Sequence, residues 1–172
     1  MIDIQKLTRI VPDFPKPGIG FFDITTVLKD GPAFGQVIDS FYEVYREWER
    51  HKIVGREAGG GGEEAALSYK MKKGLILVRK PGKLPSEVLH HEYELEYGTD
   101  SVEMHKDAVE HDEKVLVIDD LLATGGSAAA GVKLSTSMGA NVVSVTVLVE
   151  LEFLNGRASL PAGLDVFSMV RY

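Results

Sequence analysis

Cysteine is absent from the 172 residues, so neither a disulfide framework nor thiolate chemistry is open to this chain. Basic residues are the minority, 19 Lys and Arg against 26 Asp and Glu for a formal charge of -7. Without an excess of positive charge there is no electrostatic footprint for nucleic acid, and an anionic ligand must find local donors. No apolar run approaches bilayer length and the first residues carry no leader pattern, so a cytoplasmic protein without a membrane partner is expected. Internal repeats and low-complexity tracts are also missing. What is there, 44% hydrophobic and 26% charged residues, suits one globular domain over 1–172 with a core of its own.

The most informative stretch is 114–131, KVLVIDDLLATGGSAAAG. Val115, Leu116, Val117 and Ile118 form a continuous apolar run, the pattern of a parallel strand covered on both faces. It ends at Asp119 and Asp120. Small residues then make a turn, and 128–138 has helical spacing with Ala130, Leu134 and Met138 on one line. A helix start presents unpaired N–H groups and the positive end of its dipole, so a turn without bulky side chains can wrap a phosphate. Gly125 and Gly126 let the backbone approach, while Thr124 and Ser127 add hydroxyls. Two carboxylates just upstream suit sugar hydroxyls or a magnesium ion, both oxygen-seeking. The plainer alternative, a solvated strand end before a glycine turn, is the weaker account of the run as a whole.

Elsewhere the chain alternates strand and helix patterns. Residues 1–9 read as a short amphipathic helix, and 11–20, with three prolines and two glycines, as an irregular segment. Asp30 followed by Pro32 starts a core helix carrying Phe34, Val37, Ile38, Phe41, Tyr45 and Trp48. A strand over 52–55 leads to Gly59, Gly60, Gly61 and Gly62, which fit neither a P-loop nor a dinucleotide fingerprint, and then to a helix over 63–72. A strand over 75–78 delivers Arg79, Lys80 and Lys83 to its C-terminal end, where open parallel sheets bind ligands. Residues 84–99 read as a mobile loop feeding a small hairpin with 101–105. HEYEL, from His91 to Leu95, begins like a zinc signature but lacks its second histidine, so solvated loop histidines are preferred. Strands over 142–149 and 166–170 complete a doubly wound, mainly parallel α/β sheet; the segment around Arg157 has no interpretable pattern.

VLVIDDLLATGGSAA resembles the phosphoribosyl pyrophosphate signature of the type I phosphoribosyltransferases, and DDLLATGG resembles the adenine phosphoribosyltransferases in particular. FPKPGIGFFDITTVLKD at 14–30, VRKPGKLPSE at 78–87 and YELEYGTD at 93–100 agree with that family in the same order. The resemblance implies a type I phosphoribosyltransferase fold with a small hood over 1–30 and a flexible β-hairpin loop over 80–106. It further implies transfer of the phosphoribosyl group to adenine, giving AMP and pyrophosphate with Mg2+, in a homodimer. Carried over residue by residue, Ala123, Thr124, Gly125, Gly126 and Ser127 would hold the 5′-phosphate. Asp119 and Asp120 would face the ribose and, indirectly, the metal. Arg79, Lys80 and Lys83 would hold pyrophosphate; Gly20, Phe21 and Phe22, with Asp23 beside them, would hold the base; Glu96 would handle a proton.

The chain departs from the family pattern in two places, after the first central strand and beside the expected base site. Gly59 stands where an arginine is expected to grip pyrophosphate, Phe22 stands for an arginine near the base, and Glu63 and Glu64 replace uncharged residues. Arg56 compensates for the missing arginine if its side chain points inward. Two alternatives therefore stay open: a phosphoribosyltransferase for another nucleobase, and a weakly active or silent nucleotide-binding module.

Overall fold

The computed structural model describes residues 2–48, 51–56, 62–95 and 98–172. Five parallel strands form the central sheet in the order β4-β3-β7-β8-β9, where β3 is His51–Arg56, β4 Gly74–Val78, β7 Lys114–Leu122, β8 Asn141–Glu150 and β9 Asp165–Arg171. Two antiparallel ribbons flank it: β1 (Arg9–Val11) with β2 (Phe21–Asp23), and β5 (Val88–Leu95) with β6 (Gly98–His105). The α-helices are α1 (Ile4–Leu7), α2 (Thr25–Leu28), α3 (Gly31–Tyr45), α4 (Glu63–Met71) and α5 (Gly126–Ser137), and two 3-10 turns, Glu152–Leu154 and Gly156–Ser159, lie between β8 and β9.

The apolar run of β7 shows why the sheet is two-sided. Val115 and Val117 join a core with Ala128, Ala130, Val132 and Leu134 of α5, while Leu116 and Ile118 join the opposite core with Val37, Ile38 and Phe41 of α3. Alternating residues thus enter different cores, both apolar, and this run of the strand needs no polar positions. α3 starts where Asp30 Oδ1 accepts from Ala33 N at 2.9 Å, with proline in its first turn, which satisfies an orphan N–H and pre-sets the helical φ.

Three sequence expectations need correction. β7 does not stop at Ile118 but pairs with β8 through Leu122 and Glu150, so the two aspartates sit within a strand. Residues 88–95 are a strand paired along its length with β6 rather than a loop. Arg9 begins β1 instead of ending a helix, because β1 pairs with β2 to form the hood ribbon.

Candidate active site

The turn after β7 is held from behind. Gly125 has φ +86°, and a Cβ there would lie 2.2 Å from the Gly156 carbonyl oxygen, so both the backbone angle and the close approach require glycine. The contact is mutual: a Cβ on Gly156 would lie 2.3 Å from the Ala123 carbonyl oxygen. Ser159 Oγ donates to the Thr124 carbonyl at 2.7 Å. This bracing segment is itself anchored, since Arg157 donates Nε and Nη2 to the two carboxylate oxygens of buried Glu150 at 2.6 and 2.8 Å. Ser168 Oγ also donates to Glu150. The Arg157 fork above all holds the Glu150 carboxyl below its ordinary value.

On the near side, Ala129 N donates the first helical bond of α5 to Gly125 O at 2.9 Å. The N-cap is Gly125, and among the described residues no side-chain cap bond is made there, so by helix geometry the N–H groups of Gly126, Ser127 and Ala128 have no partner within α5. The Ser127 hydroxyl is committed inward, donating to Asp119 Oδ2 at 2.7 Å. Asp119 is buried. Burial, reinforced by the neighbouring Asp120 carboxylate, pushes its carboxyl well above the usual range, while Ser127 and Arg56 oppose the shift. Asp119 therefore shapes the turn, and half-buried Asp120 is the more accessible carboxylate of the pair.

Arg56, Lys80 and Asp100 meet at the neighbouring strand ends. Arg79 pairs with Glu103 through backbone bonds of 3.0 and 2.8 Å, so the β5–β6 ribbon continues from the end of β4. Arg79 Nη1 donates to the Lys83 carbonyl at 3.1 Å, tying the turn between them; the Lys83 residue is exposed. Lys80 Nζ donates to Asp100 Oδ2. Tyr93 OH reaches the same oxygen at 3.1 Å, and Arg56 Nη2 lies 3.9 Å from it. Burial raises the Asp100 carboxyl, but Lys80, the Ser101 N–H and the Tyr93 hydroxyl outweigh it and hold the group below its ordinary value.

Glu63, at the first position of α4, is buried, and its Oε2 accepts from Gly62 N at 2.9 Å. Its Oε1 has no hydrogen-bond partner among the described residues. Burial, with Asp120 and Glu64 adding to it, pushes this carboxyl up to about 7. Glu96, singled out from the sequence, lies outside the described residues, as do 57–61 with Gly59. Among the described residues no group of three His, Asp or Glu side chains is arranged to hold a metal, and no helix is long and apolar enough to cross a membrane.

A cavity of about 730 Å³ opens between the hood ribbon and the end of β7, with Gly20, Phe21, Phe22, Leu121, Ala123 and Thr124 among its lining. Phe21 is 41% exposed and meets Phe14 edge-on at 5.1 Å; the Phe22 ring packs against Tyr172 at 4.7 Å. Asp23 does not line this cavity. It accepts from Arg9 Nε at 2.9 Å and from Thr25 N and Oγ1 at 2.9 and 2.6 Å, and Thr25 first, then Arg9, lowers its carboxyl to about 2. Its carboxylate thus ties β2 to β1 in the hood ribbon.

Sequence reasoning missed Asp100, Tyr93 and the 155–159 brace. Asp100 and Tyr93 lay inside the quoted YELEYGTD without a role. The brace acts through backbone and one small hydroxyl, and its only sequence mark is the Asn155-Gly156 turn dipeptide, with Asn155 at φ 51°.

No protein-family model matches the chain. It is 50% identical to an adenine phosphoribosyltransferase of Geotalea uraniireducens, over the full length of both. The crystal structure of adenine phosphoribosyltransferase from Thermoanaerobacter pseudethanolicus superposes with TM-score 0.93 at 48% identity, covering 98% of each chain. The Saccharomyces cerevisiae adenine phosphoribosyltransferase, complexed with an imino-altritol bisphosphate and adenine, superposes with TM-score 0.89 at 36% identity, covering 96% of each.

Proposed function

The chain belongs to the adenine phosphoribosyltransferase family, and from that premise we propose that it transfers the 5-phosphoribosyl group of phosphoribosyl pyrophosphate to adenine, giving AMP and pyrophosphate, in purine salvage. One observation carries the reading onto this chain's own residues: Ala123 and Thr124 belong both to the glycine turn and to the apolar cavity. A glycine turn at a helix start and an apolar cavity large enough to admit a heterocycle share these two residues, an arrangement suited to the two ends of a nucleoside monophosphate.

In this reading the N–H groups of Gly126, Ser127 and Ala128 hold the 5′-phosphate, with Ala123, Thr124 and Gly125 shaping the turn. Asp120 faces the ribose hydroxyls and Asp119 keeps Ser127 in place. Gly20, Phe21 and Phe22 line the base site, where an aromatic face stacks on a purine. Lys80 and Lys83 hold the pyrophosphate, and Arg79 fixes the turn that carries them. As pyrophosphate leaves, the ribosyl carbon becomes oxocarbenium-like, so the protein must fix both anionic ends and exclude water. The β5–β6 ribbon covers the strand ends, and Glu96 handles the base proton.

Asp119 and Asp120 offer hard oxygen ligands, and with Asp119 committed to Ser127 they suit a Mg2+ ion held mainly by substrate oxygens and water. When bound, Mg2+ neutralises charge on the departing pyrophosphate. A single domain over 1–172, a homodimeric assembly and a cytoplasmic location complete the proposal.

A second reading, an altered base preference, is favoured by Phe22 in the position of a cation. Incubating the protein with the donor, Mg2+ and equimolar adenine, hypoxanthine and guanine separates the two. Adenine is expected to be consumed first; preferential loss of another base supports the second reading, and loss of none supports a silent binding module.

A further inference from the structure

Arg56 ends β3, and its side chain is 20% exposed. Its side chain points toward the β5–β6 ribbon, where it faces Asp100. Two donors meet there on Asp100 Oδ2, Lys80 Nζ and Tyr93 OH at 3.1 Å, and the Arg56 guanidinium forms an ion pair with the same oxygen across 3.9 Å. Asp100 itself is 20% exposed and hangs from the ribbon, not from the sheet that carries the cations.

A guanidinium, an ammonium and a phenol gathered round a single carboxylate oxygen form an anion site filled by a group of the protein's own. A diphosphate oxygen offers the same acceptor chemistry with more charge.

Resting on the proposed function, we infer that Arg56 is the guanidinium that grips the donor's pyrophosphate in this chain, three positions before Gly59, and that Asp100 occupies its place until the donor arrives. Lys80 then exchanges Asp100 for a phosphate oxygen. The exchange frees one carboxylate and forms charge-assisted bonds to the incoming anion, and no covalent bond changes.

Calorimetric titration with magnesium pyrophosphate, without adenine, reads the inference separately from turnover. Arg56→Gln should weaken binding by roughly ten- to a hundredfold, the loss of one charge-assisted contact, with Arg56→Lys intermediate and adenine KM unchanged. Asp100→Asn should tighten binding severalfold. Arg56→Lys keeps the charge and the stem, so it preserves the test if Arg56→Gln does not fold. If wild type converts adenine yet Arg56→Gln binds pyrophosphate within twofold of wild type, Arg56 is not the gripping group. Weaker binding by Asp100→Asn would overturn the placeholder role, because Asp100 would then be holding Lys80 in position. Failure of wild type to consume adenine refutes the proposed function instead.

Discussion

At the turn after β7, position is set by backbone against backbone: Gly125 against the Gly156 carbonyl, Thr124 held by Ser159, and the bracing segment locked to Glu150. Across the sheet edge, at the ends of β3 and β4, position is set by long side chains gathered around Asp100. The first arrangement cannot adjust without moving the main chain. The second can change partners by rotating side chains. A group common to substrate and product, such as a sugar phosphate, suits the rigid cradle, whereas a leaving group that must arrive and depart suits exchangeable ion pairs. The two ends of one ligand thus call for different materials.

The comparison breaks most severely at Gly125. Gly125→Ala puts a Cβ where the Gly156 carbonyl already lies and forces an L side chain to φ +86°, so the turn must shift. About 1–3 kcal/mol of stability should be lost, with donor kcat/KM reduced at least a hundredfold, read by thermal melts and steady-state kinetics. A melt shift without a kinetic effect would show that the turn is not the cradle.

Glu63 lies at the seam, under the influence of Asp120. Its folded carboxyl titrates near 7 against an ordinary 4.5, so the native state holds the proton more tightly. Any stability linked to this group is full below pH 4.5 and is lost as pH rises to about 7. Glu63→Gln should therefore stabilise the protein at pH 8, by up to roughly 3 kcal/mol, and change little at pH 4.5. Denaturant melts at the two pH values decide it, and equal shifts at both would contradict the buried-carboxyl account.

Arg157→Gln removes the fork from Glu150. Discounting for a guanidinium that is 40% exposed, the loss should be about 1–2 kcal/mol. Glu150 is held below its ordinary 4.5, so the wild-type advantage is present above that pH and fades as pH falls through the lowered value. An advantage that grows in acid would refute the pairing.

Ser159→Ala is the mildest test. It deletes one hydrogen bond to the Thr124 carbonyl, worth about 0.5–1.5 kcal/mol, and should raise donor KM severalfold while leaving adenine KM alone. Ser159→Thr, which keeps the hydroxyl, should recover part of the loss.

Those residues also mark how far the sequence could be read. The doubly wound sheet was legible because burial on both faces leaves continuous apolar runs such as 115–118, and the turn after β7 because glycine has a stereochemical reason to be there. The extent of β7 was not, since Asp119 and Asp120 look like a strand end unless the burial of Asp119 and its bond from Ser127 are known. Strand β5 was hidden by polar residues at alternate positions: His90 and Glu92 are exposed, whereas Tyr93 is buried. Arg56, Asp100 and Tyr93 are brought together by the register Tyr93↔Asp100 and by the end of β3, a juxtaposition that spacing along the chain cannot reveal. The brace was silent because its contribution is a carbonyl and a single hydroxyl. Asp23, polar and beside two aromatics, gives no sign along the chain that its carboxylate bonds Arg9 and Thr25 instead of lining the cavity.

A crystal structure with AMP bound tests the central claim most directly. The account predicts the 5′-phosphate on the N–H groups of Gly126, Ser127 and Ala128, with adenine in the cavity beside Phe22 and Leu121. AMP bound elsewhere, with that turn empty of phosphate, would contradict it.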